Sequence, residues 1–134
     1  MSVNSVEDLK VFQDSHVLTL ELYTITKDFP SEERFSLISQ IRRASSSICA
    51  NMIEGSHRNN KNEYRQFVGI ARGSVGELKY HLLLSKDLGY IDANYYENII
   101  NKINSISKML YSLIKSLEKP HTHTSHPNQK IGDF

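Results

Sequence analysis

From Tyr96 to Leu117 apolar residues fall at positions 96, 99, 103, 106, 110, 113 and 117, alternating steps of three and four without a break. Strand alternation cannot produce those steps, whereas a helix with one buried seam does. The rest of the chain must therefore supply helical faces for that seam to pack against. With 134 residues there is enough chain for one domain but not for two independent cores. Three prolines and six glycines argue against a turn-rich β-sandwich.

Three earlier segments have the same character. The first is predicted from about Asp8 to Asp28, ending at Phe29-Pro30 because the residue before proline is driven out of the helical region. Leu18, Leu22, Ile25 and Phe29 form its apolar face. Ser31 is the expected N-cap of the second segment, with Glu32 and Glu33 at the positive end of its dipole. Leu37, Ile41, Ala44 and Ile48 carry its stripe toward Gly55, the expected stop. Asn60 with Glu63 reads as a capping box opening the third segment, which carries Phe67, Ala71, Ser74, Leu78 and Leu82 and ends at Leu88-Gly89. Asp92 is placed to cap the fourth.

Short connections force neighbouring helices to run antiparallel. The fold class expected is all-α, an antiparallel up-down-up-down four-helix bundle over residues 1–118, with a flexible polar tail at 119–134. The first residues lack the basic and apolar regions of a signal peptide, and no stretch approaches the ~18 apolar residues of a membrane span. A cytoplasmic location without membrane association is the expectation.

Gly69, Gly73 and Gly76 interrupt an otherwise strongly helical segment, at about 1 kcal/mol each relative to alanine. Two explanations stand: close helix contact inside one bundle, opposite Ala44 and Ser45 to Ser47, or close approach of a second subunit or a ligand.

Charge is unevenly distributed although the net charge is only +1. Residues 1–33 sum to −5 and residues 34–72 to +5. Glu7, Asp14, Glu21 and Asp28 are spaced by seven, and so are Arg58, Arg65, Arg72, Lys79 and Lys86. Seven residues are close to two helical turns, so each set follows one face. No acid stands three or four residues from Arg65, Arg72, Lys79 or Lys86, which removes the usual intrahelical neutralisation. Three uses compete: a solvated face, pairing with the acidic first helix of a neighbouring chain, and contact with nucleic-acid phosphates.

Signals for catalysis are weak. Cys49 is the sole cysteine and sits beside Ile48, as a small buried hydrophobe would. It excludes a disulfide framework or a paired-cysteine metal knuckle within one chain. His121, His123 and His126 lie in the tail without carboxylate ligands, and His16, His57 and His81 have no ligand-like spacing. No arginine precedes a histidine by the interval used in some helical ribonucleases. No enzyme, metal or cofactor is expected.

Gln40-Ile41-Arg42-Arg43-Ala44-Ser45-Ser46-Ser47-Ile48-Cys49-Ala50-Asn51-Met52-Ile53-Glu54-Gly55-Ser56-His57-Arg58, with Ile70-Ala71-Arg72-Gly73-Ser74-Val75-Gly76-Glu77-Leu78, Leu88-Gly89-Tyr90-Ile91 and the opening Asp8-Leu9-Lys10-Val11-Phe12-Gln13, resembles one bacterial family. It is the four-helix-bundle proteins encoded in intervening sequences of large-subunit ribosomal RNA genes, often labelled ribosomal proteins. Where that family commonly has proline, this chain has Cys49; Asn51, Glu54 and Gly55 match. The resemblance implies a homopentameric ring without enzymatic activity. It also implies kinship to the accessory variability determinant of diversity-generating retroelements, a basic pentamer that engages nucleic acid and a reverse transcriptase. On physical grounds Glu54 is expected to accept hydrogen bonds from Arg42 or Arg43 of an adjacent helix or subunit.

The combined expectation is a non-enzymatic homo-oligomer, a pentamer by resemblance, that binds RNA or DNA backbone through Arg43, Arg58, Lys61, Arg65, Arg72 and Lys79, with a nucleic-acid enzyme as a further candidate partner. The alternative is a protein-interaction scaffold whose charge stripes serve subunit contacts.

Overall fold

A computed structural model describes residues 5–118; the expected polar tail, its histidines included, lies outside the described residues. Four α-helices account for most of them: α1 (Lys10–Ile25), α2 (Leu37–Ser56), α3 (Lys61–Asp87) and α4 (Ala93–Glu118). No strand occurs among the described residues. The α2–α3 seam is the most extensive, α3–α4 follows, and α1 touches α4 least. Pairings run in opposite directions along each seam, Cys49 near Phe12 but Arg42 near Tyr23, and Arg72 near Ser107 but Lys79 near Asn104. The arrangement is the antiparallel four-helix bundle, with α1 and α3 diagonal.

The heptad of α4 is the seam the sequence suggested. Ile99, Ile103, Ile106 and Leu110 are buried, and Tyr96, Leu113 and Leu117 pack at its ends. Along α3 the buried positions are Val68, Ala71, Val75, Leu78 and Leu82, so Phe67 and Ser74 sit at the edge facing α2 instead of in the centre. Two caps form as read: Asn60 Oδ1 accepts from the Glu63 amide and Asp92 Oδ1 from the Tyr95 amide, both at 2.8 Å. Gly89 closes α3 in the left-handed region, φ 85°, with the Tyr90 amide reaching back to the Ser85 carbonyl at 2.9 Å.

The first connection departs from expectation. α1 ends at Ile25 and continues as a 3-10 turn over Thr26–Asp28, and a second 3-10 turn occupies Ser31–Glu33. Ser31 does not cap α2, which begins at Leu37. The Glu33 carboxylate decides this: it accepts from Ser36 Oγ at 2.6 Å, from the Leu37 amide at 3.4 Å, and from Tyr90 Oη at 2.8 Å. Tyr90 also packs on Phe29. One acid thus starts α2 and ties the α1–α2 connection to the α3–α4 turn. A partner 57 residues away is invisible to local capping rules.

Gly55 is a second correction. It does not stop α2 but lies buried within its last turn. A Cβ there would stand 2.7 Å from Phe67 Cβ and 3.2 Å from the Tyr64 carbonyl oxygen. Because those atoms are held by the backbone of α3, the helices would have to separate.

Two measurements probe these contacts. Gly55→Ala is expected to destabilise the fold: overpacking costs about 1–3 kcal/mol, against about 1 kcal/mol gained in helix propensity. Urea unfolding with an unchanged or raised midpoint would remove the close-approach account. Hydrogen bonds from Ser36, then Tyr90, hold the Glu33 carboxyl below its ordinary value. A depressed carboxyl contributes stability above its unfolded pKa and loses it as pH falls through the folded one. Thermal midpoints scanned from neutrality to about pH 3 should therefore fall more steeply for the wild type than for Glu33→Gln; parallel curves would show that the latch contributes nothing.

Candidate nucleic-acid interface

The third helix carries its cations on the side facing α4. Successive steps of seven bring Arg65, Arg72 and Lys79 to the same edge, where each meets a residue of α4. Arg65 donates to Asn62 Oδ1 at 3.0 Å and to Glu118 Oε2 at 3.3 Å. The Arg72 Nε donates to the carbonyl and hydroxyl of Ser107, both at 3.2 Å, and its guanidinium lies 5.0 Å from the Tyr111 ring centroid. Lys79 Nζ donates to Asn104 Oδ1 at 3.2 Å. Among the described residues no carboxylate comes within 4.0 Å of Arg72 or Lys79.

Arg72 and Lys79 flank a groove of about 460 Å³ between α3 and α4, lined on the α3 side by Gly69, Gly73 and Gly76. A Cβ at any of the three glycines would meet nothing within 4 Å. Close packing inside the bundle therefore does not explain them. The serines of α2 do serve that purpose: Ser45 is buried with its carbonyl accepting from Thr19, and Ser47 bonds Ser74 at 2.6 Å.

The other expected contacts are dispersed. Arg58 lies in the α2–α3 turn, paired with Glu54 at 2.9 Å and stacked over Phe67 at 4.7 Å, so the stripe along α3 begins at Arg65. Lys61 opens α3 at the same end of the bundle. Arg43 lies across the bundle on the α2–α3 seam, bonded to Gln40 and Glu77, and does not join the others. Within the chain neither Arg42 nor Arg43 reaches Glu54: Arg42 bonds Thr26 Oγ1 and the Tyr23 carbonyl, and Glu54 takes Arg58 one turn along the chain. Asn51 donates to the Ser47 carbonyl within α2.

Two residues escaped the sequence reading. Tyr111, 48% exposed, lies between Arg72 and Lys115, whose Nζ is 5.8 Å from its centroid. Lys115 in turn shares Glu118 with Arg65, and the Lys115 hydrogen bond, with its charge, lowers the Glu118 carboxyl pKa. The four-residue spacing of Tyr111 and Lys115 is present in the sequence, but nothing local shows that this face of α4 meets the cations of α3.

The acidic set is used differently. Glu21 accepts from Tyr95 Oη at 2.7 Å and Lys102 at 2.9 Å, and Asp14 pairs with Lys10 at 2.8 Å. Burial, then Glu21, pushes the Tyr95 phenol up. Asp14, Glu21, Val17 and Lys102 line a second groove, about 450 Å³, between α1 and α4.

Burial raises the Cys49 thiol to about 11, which disfavours the reactive thiolate. His81 contacts Glu77 at 3.2 Å; burial would raise the Glu77 carboxyl, but hydrogen bonds from His81 and Arg43 lower it overall. Neither Cys49 nor His81 lines either groove. Among the described residues no group of three or more His, Cys, Asp or Glu is arranged to hold a metal ion, and no helix is long and apolar enough to cross a membrane.

Comparison with known proteins agrees with this architecture. A solved structure from Bacteroides thetaiotaomicron, described as a protein of unknown function from the S23 ribosomal protein family, superposes with a TM-score of 0.72 at 29% identity. The match covers 78% of this chain and 98% of that one. No curated protein matches. The family described as 23S rRNA-intervening sequence protein matches residues 7–112. Those residues contain the paired-arginine and serine run of α2, the glycine-interrupted α3 and the greater part of the α4 seam, and the chain belongs to the 23S rRNA-intervening sequence protein family.

Proposed function

We propose that this protein is a non-enzymatic, cytoplasmic homo-oligomer that binds nucleic acid, RNA foremost, through the cations of the α2–α3 turn and α3. One observation carries the reading: three cations along α3, Arg65, Arg72 and Lys79, have too few carboxylates to meet. Arg65 shares Glu118 with Lys115, and Arg72 and Lys79 reach only neutral oxygens. Positive groups left in that condition on an exposed face attract a polyanion and release its counterions. Arg58, Lys61, Arg65, Arg72 and Lys79 are the proposed phosphate contacts; Arg43, neutralised by Glu77 on another side, is the weakest member of the set. Such contacts hold a backbone without reading bases. Membership of a family named for 23S rRNA intervening sequences accords with this reading, and a nucleic-acid enzyme is a further proposed partner.

A second reading, a self-assembling scaffold, is favoured by the glycine face of α3, for which the single chain supplies no packing partner. Ring assembly belongs to both readings, with a pentamer the expected form.

Fluorescence anisotropy with labelled RNA should give an affinity that falls steeply with salt, and Arg65→Glu/Arg72→Glu should weaken it at least tenfold (about 1.4 kcal/mol). No binding at low ionic strength would defeat the nucleic-acid reading. Light scattering on the same variant separates the alternatives: an intact oligomer that no longer retains RNA supports the binder, and a dissociated one the scaffold.

A further inference from the structure

An aromatic ring of α4 stands among the cations of α3. Tyr111 is 48% exposed, and the Arg72 guanidinium lies 5.0 Å from its centroid. Ser107 and Ile114, which line the groove between α3 and α4, stand four and three residues from Tyr111 on the same helix. Residues at those spacings are neighbours on a helix, so the ring lies at the rim of the groove. Its height is also set. Arg72 meets Ser107 and Arg65 meets Glu118, which places Tyr111 between the levels of the two arginines. A chain whose phosphates touch Arg72 and then Arg65, about 10 Å apart along α3, passes over this ring.

The two cations on the ring are held differently. Arg72 is fixed by hydrogen bonds from its Nε to the carbonyl and the hydroxyl of Ser107. Lys115 lies farther out, 5.8 Å from the centroid, on an exposed, flexible stem whose ammonium meets Glu118 at 2.9 Å. Exposed cation–ring contacts and exposed ion pairs are both weak, and a base stacked on a tyrosine is held more strongly than either. Lys115 therefore yields the ring to a base. Arg65, Arg72 and Lys115 have one carboxylate among them, Glu118, so positive charge remains for the phosphates that accompany that base.

We infer that Tyr111 is a stacking platform for one unpaired base, which takes the place of Lys115 on the ring while Arg72 and Arg65 hold phosphates to either side. The inference rests on the nucleic-acid reading and deepens it: the ligand is a single strand or a loop, not a continuous duplex. In a duplex each base is covered by its neighbours, and a side chain on the bundle surface reaches only phosphates, sugars and groove edges. Stacking uses the ring face that every base possesses, so binding stays indifferent to sequence, as backbone contacts also require.

Fluorescence anisotropy on the full chain tests this with a labelled unstructured RNA, the duplex of the same sequence, and an abasic strand of equal length. Tyr111→Leu should bind the single strand about tenfold more weakly than the wild type while its duplex affinity stays unchanged. Its salt dependence should also match the wild type, since no phosphate contact is lost. Tyr111→Phe, which keeps the ring, should behave as the wild type. Because half of the ring lies in solvent, both variants should keep the wild-type helical circular dichroism. The abasic strand keeps every phosphate, and the unaltered protein should bind it as weakly as Tyr111→Leu binds the normal strand. Equal losses on single strand and duplex would show that Tyr111 only positions Arg72, and would overturn the inference. An abasic strand bound as tightly as the normal one, an unaffected Tyr111→Leu or a weakened Tyr111→Phe would overturn it as well. In each of those cases salt-sensitive binding by the wild type leaves the nucleic-acid reading standing. Absence of binding to any of the three at low ionic strength defeats that reading and the inference together.

Discussion

The rotation of α3 about its own axis governs everything exposed on this molecule, and the α2–α3 seam sets it. Gly55 admits Phe67 at a distance no other residue would allow, Ser47 meets Ser74, and Arg43 meets Glu77. These contacts fix one side of α3. Val68, Val75 and Leu82 are then directed into the core, Arg65, Arg72 and Lys79 toward α4, and the three remaining glycines outward. A turn of α3 by one position would bury the cations and expose the valines. Interior packing tolerates neither.

The four glycines of α2 and α3 show that the same residue type answers two different constraints. Gly55 is required by a contact inside the chain, whereas Gly69, Gly73 and Gly76 face open space. Exposed helix interiors do not keep glycine for stability, since alanine is better by about 1 kcal/mol. Nothing packed inside the single chain requires them.

Local signals were legible wherever a few neighbouring residues decide the outcome. The caps at Asn60 and Asp92 and the glycine stop at Gly89 depend on contacts within six residues, and the α4 heptad is a periodicity written along one segment. The same logic misplaced the start of α2, because Glu33 answers to Tyr90 as well as to its own turn. It also took Gly55 for a helix end, since a glycine close to a terminus and a glycine against another helix look alike in one dimension. The candidate site was half legible. The heptad of cations on α3 was readable, but Arg58 sits off that stripe, Arg43 lies on another face, and Tyr111 with Lys115 arrive from α4.

By itself the sequence determined that four amphipathic helices form, where three of their boundaries fall, and that positive charge concentrates on the third. Periodicity and capping are short-range properties, so the chain carries them openly. Only the tertiary structure decided which cations find carboxylates, which glycine is needed for packing, and which faces are left without a partner. Those outcomes depend on how the helices are rotated against one another, and that rotation is set by steric contacts between residues far apart in the chain.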